Sequence, residues 1–261
     1  MKTLGIVLMV QQKSRSLVVN MKKIKAIVLT YDKYRSFTDH MILCYEKLWP
    51  QHPFIFQVPY QDIEPTILSD KVDYIKCPSD IKGTVLTLLK DLDDETLVYW
   101  CIDDKYPIYL NVHEIEKIHS DVCQQDNGGI DGVLFCRCRG MLERKNLVKK
   151  SFFSRREDVL IERKNYQQIW LHQYLKVKVI RNLFKAFPDS ISTAKVMDSY
   201  KDQLEKPADQ RIYVTRDNFA TFGESTSRGV VTENCFNSMK NHGVIIPEWV
   251  TETTKSEIIM G

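Results

Sequence analysis

The sequence predicts an α/β protein with a largely parallel central sheet, on three observations. Apolar runs of strand length alternate with helix-period segments at short intervals from residue 24 to 136, the pattern of strands joined by right-handed helical crossovers. One run, Leu97-Val-Tyr-Trp-Cys-Ile102, is apolar or aromatic throughout, as in a strand buried on both faces. It ends abruptly in Asp103 and Asp104, at the carboxyl end of a strand, where open α/β sheets hold their ligands.

The elements follow in order. Residues 24–30 form the first strand and run into the polar loop Tyr31-Asp32-Lys33-Tyr34-Arg35. Ser36 with Asp39 resembles a capping box, and Phe37, Met41, Cys44, Tyr45 and Leu48 share one helical face that Trp49-Pro50 stops. Residues 54–58 and 72–77 are the next strands, and Pro78-Ser79-Asp80 turns into a helix bearing Val85, Leu88 and Leu89. After the strand at 96–102, Asn111 with Glu114 caps a helix bearing Val112, Ile115, Ile118 and Val122. Asn127-Gly-Gly129 is a turn and 133–136 a strand. Beyond 140 the regularity fades. Residues 140–165 are basic and loop-rich, 166–183 read as a helix, 211–215 as a strand, 221–229 as a polar flexible loop, and Thr232 caps a last helix that ends near Gly243. No internal repeat or low-complexity linker interrupts the chain.

The formal net charge of +3 is unevenly spread. Residues 137–164 hold ten Lys/Arg and four Asp/Glu, leaving the remainder at about −3 by subtraction. Such a patch suits an anionic or phosphate-bearing partner, or is a solvated face. The seven cysteines are odd in number and several lie in apolar runs, which suits reduced thiols and a cytoplasmic location better than a disulfide framework. No C-x-x-C pair, H-E-x-x-H motif, G-x-G-x-x-G or P-loop motif occurs, which disfavours structural zinc, zinc hydrolysis, a dinucleotide site and a P-loop NTPase. No apolar run approaches the ~20 residues that cross a bilayer. Residues 1–20 read as an upstream extension or a mis-assigned start, with Met21 a second start, and 21–261 as a single domain.

Three constellations carry chemistry. Asp103 and Asp104 repel one another and cost desolvation, so a site keeps them for a divalent cation, Mn²⁺ or Mg²⁺; a helix cap or loop ion pair is the plainer use. In the first loop, Thr30, Tyr31, Asp32 and Arg35 are candidate nucleotide contacts, with Tyr31 stacking, Asp32 on base or ribose and Arg35 on phosphate, an ordinary βα loop being the equal alternative. In Phe222-Gly-Glu-Ser-Thr-Ser-Arg-Gly229, hydroxyls, glycines and Arg228 suit a loop closing over phosphate, with Glu224 an alternative general base. Tyr99, Trp100, Tyr106, Tyr109 and Trp170 are sugar-stacking candidates, though Trp100 belongs in the core.

Together these residues resemble the GT-A nucleotide-sugar glycosyltransferases of the bacterial surface-glycan type. The resemblance rests on Thr30-Tyr-Asp32 after the first strand, on Asp103-Asp104 as a contracted D-x-D motif, and on Tyr166-Gln-Gln-Ile-Trp170, similar to a segment that opens an acceptor-side helix. It covers about residues 24–200. This chain departs from the pattern in having D-D-K, and by analogy the resemblance makes Asp104 the metal ligand. It implies a GT-A-like mostly parallel sheet flanked by helices, with a nucleotide-binding half at 24–136 and a more irregular acceptor half at 137–250. It also implies a hexosyltransferase that moves a sugar from a nucleoside-diphosphate sugar to a glycan or lipid-linked acceptor in polysaccharide biosynthesis. If transfer inverts the anomeric centre, Asp158, Asp198 and Glu224 are the candidate bases. The 137–164 segment then offers a peripheral contact at the inner membrane surface. Two rivals remain: a catalytically silent sugar-nucleotide or glycan binder, and a sugar-nucleotide nucleotidyltransferase, which Tyr31–Arg35 disfavours by having no glycine. Nucleic acid binding has only the basic segment behind it.

Overall fold

The computed structural model describes residues 21–65, 69–124, 129–136, 160–163 and 169–255, and the backbone of 148–149. The residues 1–20, most of the basic 137–164 segment, Cys138, Asp158 and Tyr166-Gln-Gln168 lie outside it.

The elements are β1 (Ile24–Leu29), a 3₁₀ turn (Asp32–Tyr34), α1 (Arg35–Leu48), β2 (Phe54–Tyr60), β3 (Val72–Lys76), α2 (Ile81–Leu88), β4 (Leu97–Ile102), β5 (Lys105–Leu110), α3 (Val112–Val122) and β6 (Gly132–Leu134). Then come β7 (Val148–Lys149), β8 (Leu160–Arg163), β9 (Gln173–Lys176), α4 (Val177–Ala186), α5 (Ala194–Tyr200), a second 3₁₀ turn (Lys201–Gln203), β10 (Ile212–Thr215), β11 (Ala220–Glu224), β12 (Thr226–Ser227), β13 (Val230–Thr232), α6 (Glu233–Asn241) and β14 (Thr253–Thr254).

The predicted class is observed. A nine-stranded sheet runs β3-β2-β1-β4-β9-β6-β10-β8-β7. The pairs β3/β2, β2/β1, β1/β4 and β6/β10 are parallel. β9 is inserted antiparallel between β4 and β6, and β8 is antiparallel to β10. β5 and β11 form a separate antiparallel pair, and β12, β13 and β14 a small third sheet.

The apolar run of β4 is explained by alternation across two cores. Val98, Trp100 and Ile102 join the cluster with α2 and α4, whereas Tyr99 and Cys101 join the cluster with α1, α3 and α6. Trp100 is fully buried, and its indole N–H donates to the Ile169 carbonyl at 2.7 Å, so its one polar atom is satisfied.

Helix starts follow local chemistry. The Asp80 carboxylate accepts the Gly83 N–H at 2.6 Å to open α2, the Asn111 side chain accepts from Glu114 at α3, and the Thr232 hydroxyl accepts from Cys235 at α6. The predicted Ser36 capping box does not form. α1 begins one residue earlier, at Arg35, and Tyr34 at its N-cap makes no side-chain bond, because the preceding 3₁₀ turn feeds the helix directly.

Two other expectations are corrected. Among the described residues, the helical reading of 166–183 holds only from Val177. Gln173–Lys176 is a strand, with Tyr174 and Leu175 both fully buried on opposite faces of the sheet. The apolar stripe was compatible with either period, and burial between β4 and β6 decided for strand. Residues 221–229 are not a flexible loop. They are β11 and a hairpin of β12 with β13, turned by Arg228 at φ 53° and Gly229 at φ 85°, the paired positive φ values of a type I′ turn.

Gly132, on β6, leaves no room for a side chain. A Cβ there would stand 2.5 Å from Leu175 Cδ2 and 2.8 Å from the Tyr174 carbonyl oxygen. Gly132→Ala is therefore expected to destabilise the fold by about 1–3 kcal/mol or more, read as a lowered urea midpoint. An unchanged midpoint would refute this account of β6 packing.

Candidate active site

Parallel pairing of β1 with β4 sets Leu29 beside Ile102, so the residues that leave the two strand ends are neighbours. Thr30 Oγ1 donates to Asp103 Oδ2 at 2.7 Å, and Thr38 Oγ1, from the first turn of α1, donates to Thr30 Oγ1 at 2.8 Å. The Asp103 N–H donates to the Leu29 carbonyl at 3.2 Å. Asp103 is thus oriented by a hydroxyl relay anchored in α1.

Asp104 is held by the far end of the chain. Its Oδ1 accepts the Thr226 N–H and hydroxyl at 3.1 and 2.9 Å, and its Oδ2 meets Lys105 Nζ at 2.8 Å. Ser225 donates from its N–H to the Asp104 carbonyl and from its hydroxyl to the Asp103 carbonyl. The β5/β11 pairing puts Lys105 opposite Glu224, and Lys105 Nζ reaches Glu224 Oε1 at 3.5 Å. The Lys105 side chain is only 8 % exposed, so a buried ammonium stands between two carboxylates.

Electrostatics separate the pair. Burial, with the Asp104 charge adding to it, pushes the Asp103 carboxyl up to about 7 despite the Thr30 hydrogen bond. Burial, then Asp80 and Asp103, holds the Tyr31 phenol up to about 12, so it stays a neutral donor.

A cavity of about 370 Å³ opens at these strand ends, lined by Thr30, Tyr31, Asp103, Asp104, Trp170 and Asp198 among others. Of the sequence candidates, Thr30, Tyr31, Asp103, Asp104 and Asp198 meet there. Asp198, on α5, also lines it and pairs with Lys201 Nζ at 2.9 Å.

Asp32 and Arg35 stand apart as an ion pair at 3.1 Å. The Asp32 carboxylate accepts the N–H groups of Gln61, Asp62 and Ile63. Burial raises it, but those N–H groups and Arg35 outweigh burial and hold it below the ordinary range. The Arg35 guanidinium lies over the Tyr74 ring. Glu224 is tied to Lys105, and Arg228 sits exposed at the hairpin tip.

Three contributors escaped the sequence reading. Lys105 looked like part of a charged turn, and Lys195 on the cavity wall lay in an irregular stretch without a pattern. The third is His172. Its Nε2 lies 2.9 Å from the Ile102 carbonyl and its Nδ1 2.7 Å from the Tyr45 hydroxyl. Burial lowers His172 to about 3, so it is neutral. Nε2 donates to the carbonyl and Nδ1 accepts from Tyr45, which fixes the end of β4 just before the aspartates.

The donor set at Asp103 and Asp104 is all oxygen, which suits a hard ion such as Mg²⁺ or Mn²⁺. Asp103 carries a carboxylate that its surroundings leave under-neutralised. Asp104 would share its charge between an ion and Lys105. The residues fit a divalent ion on those terms.

No protein family matches the sequence, and no curated protein does. Solved structures with a similar course include S. aureus TarS (15% identity, TM-score 0.46, 84% of this chain and 39% of that one). They also include a 4-diphosphocytidyl-2C-methyl-D-erythritol synthase from Anaerococcus prevotii (12%, 0.44, 84% and 96%) and an active-site mutant of LgtC (10%, 0.42, 87% and 98%). Likenesses this distant carry nothing about activity, and the fold class stands on the strand order itself.

Proposed function

We propose that the protein is a glycosyltransferase that takes a sugar from a nucleoside-diphosphate sugar and passes it to a glycan or lipid-linked acceptor. One observation carries the reading: Thr30, Tyr31, Asp103, Asp104 and Asp198, distant in sequence, share one cavity at the carboxyl ends of β1 and β4. Tyr31 and Trp170 offer flat walls for a base or sugar ring. Asp103 and Asp104 would hold Mn²⁺ or Mg²⁺, which supplies Lewis-acid stabilisation of the leaving diphosphate. The Lys105 ammonium holds the Asp104 carboxylate in place, and Lys195 adds a positive charge to the cavity wall. For an inverting transfer, Asp198 is the favoured base, since it lines the cavity that Asp103 and Asp104 line, whereas Glu224 is not among its lining residues.

The nucleotidyltransferase alternative has less support. The segment after β1 is a three-residue 3₁₀ turn that passes straight into α1, leaving no wide glycine loop to wrap a triphosphate.

A thermal-shift panel of UDP-, GDP-, CMP- and dTDP-sugars, with and without Mn²⁺, tests the proposal. One donor is expected to raise the melting temperature in a metal-dependent way, by mass action on the folded state, and Asp104→Asn is expected to remove that dependence. Metal-independent binding that Asp104→Asn leaves intact, with no transfer to any acceptor, would establish the silent-binder reading instead.

A further inference from the structure

A second cluster lies away from the aspartate cavity, between α1 and α6. His40 and Cys44 sit one turn apart on the same face of α1, the spacing that brings two side chains together on a helix. His242 follows the last residue of α6 as its C-cap. The ligand atoms of the three lie within 4.8 Å of one another, and they form the one such cluster of three or more among the described residues. Cys44 Sγ is 3.4 Å from His40 Nε2. Ser238 Oγ lies 2.8 Å from the same nitrogen and 3.5 Å from His242 Nδ1.

We propose that His40, Cys44 and His242 form a site for a borderline divalent transition metal of the Zn²⁺ class, distinct from the aspartate pair.

The geometry supports this in three ways. With metal–nitrogen bonds of about 2.0–2.1 Å and metal–sulfur bonds of about 2.3 Å, tetrahedral ligands stand roughly 3.3–3.7 Å apart, and the His40–Cys44 separation already falls there. The outer contacts that orient ligating imidazoles are present. Cys235 Sγ is 3.9 Å from His40 Nδ1, and the Ser238 carbonyl is 2.6 Å from His242 Nδ1. A cavity of about 520 Å³, lined by Cys44, Tyr106, Ser238 and His242, gives an ion a path and leaves a fourth position for Ser238 or water. One sulfur and two nitrogens select against Mg²⁺ and Ca²⁺. On binding, the Cys44 thiol proton leaves to solvent.

The metal would work as a staple. It joins the start of the chain to its last helix, and α6 continues from the hairpin whose Thr226 and Ser225 hold the aspartate pair. The His40 ring also packs at a tilt against Tyr106, with ring centroids 4.6 Å apart, directly after Lys105.

Chelator-treated full chain titrated with Co²⁺, then Zn²⁺, tests the site. Co²⁺ is expected to give a thiolate-to-metal charge-transfer band with one ion per chain, displaced by Zn²⁺. Zn²⁺ is also expected to raise the melting temperature. Asp104→Asn should keep the band, which separates this site from the aspartate cavity. Cys44→Ser should abolish it, and His242→Gln, at a half-buried helix end that tolerates change, should weaken Zn²⁺ binding at least tenfold. Absence of the band in folded wild-type protein, or its persistence in Cys44→Ser, would overturn the proposal.

Discussion

Asp103→Asn is expected to lower sugar transfer on the order of 10²–10³-fold while raising the melting temperature at pH 8. Asparagine keeps the shape and an oxygen to accept from Thr30, but removes the charge that the proposed metal and diphosphate would need. The stability gain has a definite sign. In the folded chain the carboxyl sits at about 7, up from 3.8, because burial and then Asp104 oppose its ionisation. Below pH 3.8 it is protonated in both folded and unfolded chains and costs nothing. As pH rises from there to 7, the unfolded chain ionises first and stability falls by about 1.4 kcal/mol per unit, to at most about 4 kcal/mol. The variant escapes that loss. Melting curves in chelator at pH 4 and pH 8 should therefore diverge only at pH 8. Equal melting temperatures at pH 8, or unchanged turnover, would remove Asp103 from the centre of the site.

Acid should unfold the protein through its buried imidazoles. Burial lowers His172 to about 3 and His52 to about 4. His172 is enclosed by Tyr45 and the Ile102 carbonyl, and His52 Nδ1 accepts from the Phe54 N–H while its Nε2 is buried without a hydrogen bond. Both fold as neutral rings. Above pH 6.5 neither state is charged. Between pH 6.5 and 5 only the unfolded chain takes up the protons, so each ring removes up to about 2 kcal/mol of stability. Asp103 acts in the opposite direction over the same range, so the measurement belongs in the Asp103→Asn background. There the urea midpoint is expected to drop steeply from pH 6.5 to 5, and less steeply with His172→Gln added. Parallel profiles for the two proteins would show that His172 has no such role.

Much of this was legible in local sequence. An uninterrupted apolar run of six residues, rich in aromatic and β-branched side chains, is too short for a buried helix and suits a strand packed on both faces, so β4 and the carboxylates at its end could be read directly. Caps at Asn111 and Thr232 were equally readable, because each depends on one side chain and a backbone N–H three residues away. What tertiary structure decided was everything that depends on non-local pairing. Gln173–Lys176 carries a stripe compatible with a helix, and only the open slot between β4 and β6 makes it a strand. Lys105 became the partner of both Asp104 and Glu224 because β11 returns antiparallel to β5 from more than a hundred residues away. Asp32 and Arg35 pair with each other, and the Asp32 carboxylate is taken up by the three N–H groups of Gln61, Asp62 and Ile63. The sequence by itself determined where a charged site would open in the sheet. Packing determined which charges face it, because the nearest opposite charge is a property of the folded surface and not of spacing along the chain.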